Sequence, residues 1–216
     1  MYSFEAATKT TINNCSMEND YTIHRYVNIL MDKWFKRILG AEANKGALLA
    51  LLRELIPERT IVDITYNRQR KRKMNVFEEG HDAIFDVECI DDKGGRFVVE
   101  MQREEQIHFA ERALFYSTFP IQEQVKAKKH GHISHDKQYD YPPVYVISFM
   151  DFSRHADASQ VLFRYDLRER TIGDLMTNRL NFIFLEMTNF KKDEPDESDS
   201  FAEKLSYALT HMSILK

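Results

Sequence analysis

The succession of hydrophobic patterns along the 216 residues predicts an α/β fold, with a mixed β-sheet flanked by helices. Three observations carry this expectation. Two helical patterns open the chain, a glycine-bearing hairpin rich in acids follows, and a long helical pattern then separates that hairpin from a continuous apolar strand. The order helix, strand, hairpin, helix, strand gives an α/β layer with a mixed sheet.

Residues 1–20 are polar, rich in Thr, Asn and Ser and without periodicity, and are read as an N-terminal arm. From Tyr21, the residues Ile23, Val27, Ile29, Leu30, Trp34 and Ile38 recur at three- and four-residue spacing and predict a helix ending near Gly40. In the next helix Asn44 is the expected N-cap and Pro57 the stop. Its Leu48, Leu49, Leu51, Leu52, Leu55 and Ile56 are apolar nearly all round, which marks a buried helix. Glu42, at the junction, is either a third acid of a site or a solvated helix-start carboxylate. Thr60–Tyr66 alternates as a strand, with Ile61, Asp63 and Thr65 on one face and Val62 and Ile64 on the other, and is expected to pair with the hairpin. The basic run that follows contains Arg70, Lys71, Arg72 and Lys73. It suits either a phosphate backbone or a solvated loop.

The hairpin consists of Ala83–Ile90 and Arg96–Gln102, joined by Asp-Asp-Lys-Gly-Gly. With Asp92-Lys93-Gly94 as a three-residue loop and Gly94 left-handed, Asp91 pairs with Gly95. Counting back along both strands then sets Asp86 opposite Glu100, with Cβ atoms roughly 4.5–5.5 Å apart on one face and Gln102 on that same face. A loop of two or four residues would slip the pairing and send Glu100 to the other side. Carboxylates that close need a shared proton, a basic side chain or a divalent cation, and a hard cation is the most economical. Glu88 alternates onto the same face and either adds a ligand or points to solvent at a sheet edge.

After Gln102, Ile107, Ala110, Leu114, Ser117 and Ile121 mark one helical stripe, while His108, Arg112, Phe115, Tyr116 and Phe119 crowd the other side, leaving no plainly wet face. Arg112 and Tyr116 are four apart and project together. On sequence alone Tyr116 is a core residue and Arg112 its salt-bridged neighbour. Pro120 permits a break before Gln122–Lys129. His130, His132 and His135 could bind zinc, but Gly131 and the polar surroundings favour a loop. Val144–Phe149 reads as a central strand covered on both faces, and Val161–Asp166 and Phe182–Met187 as further strands. Residues 191–216 form an acidic linker and an amphipathic helix containing Phe201, Leu205, Ala208, Leu209 and Met212, which must dock on the core, on a second subunit or in a continuation of the chain.

Hydrophobic residues at 43% and charged residues at 30% give a soluble globular profile, and no apolar run approaches the ~18 residues of a membrane span. The N-terminus carries no secretory pattern. Cys15 and Cys89 have no metal-ligand spacing, and the expected compartment is the reducing cytoplasm. A net charge of −4 argues against a surface coated with phosphate contacts but leaves room for a local basic site, so it decides little.

Asp86, Glu100 fourteen positions on and the Glu100-Met101-Gln102 ending resemble the D…E-x-K motif of PD-(D/E)XK nucleases, in the branch of recombination-promoting nucleases and related transposases that carries Gln for Lys. Phe35-Lys36-Arg37-Ile38-Leu39-Gly40, the Leu-rich helix, Arg112–Ser117 and Pro143–Phe152 are similar to successive blocks of the same family, over roughly residues 30–190. The resemblance implies a restriction-endonuclease-like core over residues 21–190. It also implies a metal-dependent DNA endonuclease acting in recombination or transposition. Asp86, Glu100 and the Met101 carbonyl would ligate Mg²⁺ or Mn²⁺, Gln102 would stand in the catalytic Lys position without its charge, and Arg112 and Tyr116 would turn toward the acids with Arg70–Lys73 on DNA. A homodimer is compatible with it, and no membrane is involved. The alternative is a nuclease fold that cuts weakly or not at all and binds nucleic acid or a protein.

Overall fold

The computed structural model describes residues 30–67, 86–130, 137 and 139–211. Its centre is a six-stranded sheet in the order β1-β2-β3-β4-β6-β5, formed by β1 Ile64–Tyr66, β2 Val87–Asp91, β3 Arg96–Gln102, β4 Val144–Met150, β5 Leu162–Arg168 and β6 Leu175–Glu186. β3, β4 and β6 run parallel, and β1–β2, β2–β3 and β5–β6 are antiparallel. Helices α1 (Asp32–Leu39), α2 (Lys45–Leu55) and α4 (Phe201–His211) share a core with one face, and the crossover helix α3 (Phe109–His130) covers part of the other. The mixed sheet flanked by helices is thus the predicted one.

Side-chain alternation divides the interior. Phe97, Val99 and Met101 of β3, Tyr145, Ile147 and Phe149 of β4, and Ile183 and Leu185 of β6 meet Phe35, Ile38, Leu48 and Leu52 beneath the sheet. Phe35 packs on Phe149 at 5.4 Å between ring centroids, and Phe97 stacks on Tyr145 at 5.2 Å. Fully burying one such side chain contributes about 1.5–3 kcal/mol, so this layer dominates stability. Val98, Val146, Met150 and Phe184 face the opposite way, against Phe109 and Ala113 of α3. β4 is buried along its whole length because both of its faces are covered. Among the described residues no helix is long and apolar enough to cross a membrane.

Several local expectations need correcting. Leu30 and Met31 precede α1 and are not helical; Met31 is extended at the N-cap position. Asn44 occupies the N-cap position of α2, yet its side-chain amide donates to the Ile38 carbonyl at 2.9 Å and makes no capping bond. The strand at Thr60–Tyr66 shrinks to three residues. Ile61 and Ile64 are both buried while Val62 is 62% exposed, a spacing of three that breaks strict alternation before β1 begins. α3 runs unbroken through Pro120. Its buried stripe is Phe109, Ala113, Ser117, Pro120 and Gln124, and Ile107, 94% exposed, lies before the helix. A wet face therefore exists, carrying Glu111, Leu114 and Phe115. α4 docks on the core through Ala202, Leu205 and Leu209. Arm residues 1–20, the basic run at 68–73, His132, His135 and Met212 lie outside the described residues.

Candidate active site

The hairpin closes as its loop length required. Asp91 N–H donates to Gly95 O at 3.0 Å, Gly94 N–H donates to Asp91 O at 3.0 Å, and Gly94 has φ +79°, the left-handed conformation that glycine adopts without Cβ strain. The ladder pairs Val87 with Val99 and Cys89 with Phe97, so one further step sets Asp86 against Glu100. A knot of charge fixes this register. The Asp91 carboxylate, fully buried, accepts Arg59 Nε and Arg59 Nη2 (3.0 Å), together with the backbone N–H groups of Lys93 (2.9 Å) and Gly95 (2.7 Å). A Cβ at residue 95 would meet Arg59 Nη2 at 2.6 Å, so the guanidinium fits only over glycine.

Asp86 sits where the β2–β3 ladder ends. Its Oδ2 accepts the Met101 N–H at 2.7 Å, and its Oδ1 pairs with Lys36 Nζ at 2.9 Å. Lys36 belongs to α1, on the other side of the sheet from α3. Glu100 is only 5% exposed and stands in register with Ser148 of β4, whose hydroxyl is buried and makes no hydrogen bond among the described residues. Glu88 does not point to solvent at a sheet edge. β1 covers β2, and Glu88 is buried with Arg96 Nη1 3.8 Å away.

The turn from β3 into α3 brings Arg112 and Tyr116 over this end of the sheet. Arg112 Nη2 donates to the Gln102 amide oxygen and its Nη1 to Gln106, while Gln102 Nε2 donates to Glu104 O at 2.8 Å. The guanidinium lies 5.7 Å from the Tyr116 ring and 5.8 Å from Phe109. Burial raises the Tyr116 hydroxyl above the ordinary tyrosine range, and the negative charges of Glu100 and Asp86 add to the shift while Arg112 opposes it. Tyr116 therefore feels both acids. Sequence alone makes Tyr116 a core residue and Arg112 its salt-bridged neighbour; in the structure Tyr116 is half-buried, and among the described residues Arg112 bonds the amides of Gln102 and Gln106 rather than a carboxylate.

A model of the family described as PD-(D/E)XK nuclease family transposase matches residues 29–215. The chain belongs to this family. The match extends past the roughly 30–190 covered by the sequence resemblance and takes in α4. The six-stranded mixed sheet with its flanking helices is accordingly a restriction-endonuclease-like fold. A search of curated proteins and a search of solved structures each returned no match.

PD-(D/E)XK nucleases generally use divalent metals, and the donor set at Asp86 and Glu100 is of the right kind: hard oxygens, opposed on neighbouring strands, beside a buried serine hydroxyl. Among the described residues no group of three or more His, Cys, Asp or Glu converges on one point. Glu42 is exposed in a 3-10 turn, Glu42–Asn44, and acts electrostatically on Tyr66. Sequence reasoning did not single out Lys36 or Ser148 as neighbours of the acids, because Lys36 meets Asp86 and Ser148 comes into register with Glu100 only through tertiary contact. The basic residues Arg70, Lys71, Arg72 and Lys73, and the zinc candidates His132 and His135, fall outside the described residues; His130 ends α3.

Proposed function

We propose that the chain is a divalent-cation-dependent endonuclease that hydrolyses DNA phosphodiester bonds and promotes recombination or transposition in the cytoplasm. The single observation that carries this reading is the β2–β3 register, whose last pair, Val87 with Val99, leaves Asp86 one step on toward Glu100, in a chain of this family. Asp86, Glu100 and the Met101 carbonyl would hold Mg²⁺ or Mn²⁺. Such a cation supplies Lewis-acid charge to the phosphoryl oxygens and acidity to a water.

The chain's own residues divide the remaining work. Met101 N–H fixes one oxygen of Asp86 and so aims the other. Lys36 brings to the pair a positive charge that Gln102, a neutral amide, does not have. Gln102 is held at both ends, by Arg112 and by Glu104 O, and serves to anchor Arg112 over the acids. Arg112 then presents its guanidinium to a phosphodiester, for which its planar fork is suited. Tyr116, kept protonated by burial and by the nearby acids, is a hydrogen-bond donor to the same group. Arg70–Lys73, just before the hairpin in sequence, would hold the flanking backbone.

A second reading, a nuclease-fold module that binds nucleic acid or protein without cutting, is favoured by one observation: both ends of the Gln102 amide are occupied within the protein. Cleavage of plasmid and single-stranded DNA in Mg²⁺ or Mn²⁺, by wild type and Glu100→Gln, separates the two. Metal-dependent cutting that Glu100→Gln abolishes supports the nuclease; absence of cutting by both across metals and substrates supports the binding module.

A further inference from the structure

The carboxyl ends of β3, β4 and β6 lie at one edge of the sheet, with Gln102, Met150 and Glu186 in register. In open α/β sheets ligands bind at this edge. Two strands from the acid pair, the edge carries a second built feature. Glu186 is fully buried and accepts Ser153 Oγ (2.9 Å), Arg154 N–H (2.9 Å), His155 N–H (3.0 Å) and His155 Nδ1 (2.8 Å). Burial alone would raise this carboxyl, but the bonds from His155, Ser153 and the backbone hold it below the usual range, so it is an ionised acceptor and Nδ1 carries the proton. The imidazole is thereby fixed in orientation. One of its faces stacks on Phe163 at 4.3 Å and 19°, and 42% of the side chain remains exposed.

The surroundings are aromatic. Tyr165 lies 6.5 Å from the His155 ring, and Phe152 packs edge-on against Phe109, which in turn carries Arg112. Tyr165 packs on Phe184 at 5.0 Å and Phe184 on Phe109 at 5.0 Å, so a path of rings joins His155 to Phe109 and Arg112 beside Gln102. His155 bonds Glu186 of β6 and stacks on Phe163 of β5, two to three strand spacings of about 4.8 Å from β3, so it stands roughly 10–14 Å from the acid end of β3. This is too far for proton exchange with a group on the acids, which needs about 3 Å. It is a few nucleotide rises of about 3.4 Å along a strand. Nor is the site a phosphate cradle, because the Glu186 charge beside the ring cancels any positive charge the ring could offer an anion. What remains is a rigid, flat, half-exposed π-surface.

We infer that His155, backed by Phe163 and oriented by Glu186, stacks an unpaired nucleobase of the DNA strand that crosses the carboxyl edge of the sheet. This rests on the nuclease reading for its partner and adds the substrate class: duplex bases keep their faces covered, so the strand beside the cut is single-stranded. The test is fluorescence anisotropy in EDTA, where no cutting occurs, with a short oligothymidylate and an abasic phosphodiester strand of equal length. Wild type, His155→Ala and His155→Phe are compared, each checked for native far-UV circular dichroism. His155→Ala is expected to weaken oligothymidylate binding about tenfold and to leave abasic-strand binding unchanged, with His155→Phe, which keeps a ring on Phe163 but loses the bond to Glu186, in between. The inference is overturned if His155→Ala binds oligothymidylate like wild type, if it loses as much on the abasic strand, or if His155→Phe is as weak as His155→Ala. Wild type that binds neither strand overturns it as well. Failure of the nuclease reading shows separately, as absence of metal-dependent cleavage by a protein that still binds.

Discussion

Arg59→Ala should unfold the chain more readily than its position in a surface turn suggests. The Asp91 side chain is fully buried, and Arg59, with a side chain 14% exposed, is its counter-charge, bonded through both Nε and Nη2. Removing one partner of a buried pair costs about 3–5 kcal/mol, because the remaining charge is left in the interior. Asp91 would keep its bonds from the Lys93 and Gly95 N–H groups, which places the expected loss near the lower end, about 3 kcal/mol. For a chain of this size that is a fall in Tm of roughly 6–12 °C. Arg59→Lys, which keeps the charge but not the fork, should recover part of it. Thermal and urea unfolding followed by circular dichroism read the effect directly. A loss below about 1 kcal/mol, the range of an exposed pair, would refute the view that this knot holds the hairpin and its register.

Three other changes probe separate parts of the account. Gly94→Ala places a Cβ on a backbone with φ +79° and 3.1 Å from Pro142 Cγ, and should cost about 1–2 kcal/mol in urea unfolding. Lys36→Met should move Tm by only a few degrees, since Lys36 is partly exposed, but lower metal-dependent cleavage roughly a hundredfold; retained cleavage would remove Lys36 from the site. Glu186 has a carboxyl pKa held below its ordinary value of 4.5, so its stabilisation is present above that pH and is lost as pH falls through the lower folded value. The Tm advantage of wild type over Glu186→Gln should therefore be full at pH 7 and shrink below about pH 4.5, and a gap that is constant down to pH 3 would contradict the assignment.

What was legible in the sequence was mostly local. Asp92-Lys93-Gly94 and its loop length fixed the hairpin register, and through it the apposition of Asp86 and Glu100, because a left-handed glycine and a two-residue alternation leave little freedom. The unbroken apolar run at Val144–Phe149 likewise identified the central strand. Illegible were the contacts between distant segments. Nothing in the pattern around Lys36 shows that α1 reaches Asp86 from beneath the sheet, nor that Glu88 is buried beside Arg96. The buried face of α3 is not legible either, because Ile107 looks like the start of its stripe, whereas the helix begins at Phe109 and buries Ala113 and Ser117. His155 and Glu186 lie far apart in sequence and meet only because β4 and β6 are parallel neighbours.

The most direct test of the central claim is Mg²⁺- or Mn²⁺-dependent DNA cleavage by the purified protein beside Glu100→Gln. The account predicts strand breaks that require the metal and vanish in the variant, with the two proteins equally folded. Breaks that persist undiminished in Glu100→Gln would contradict it.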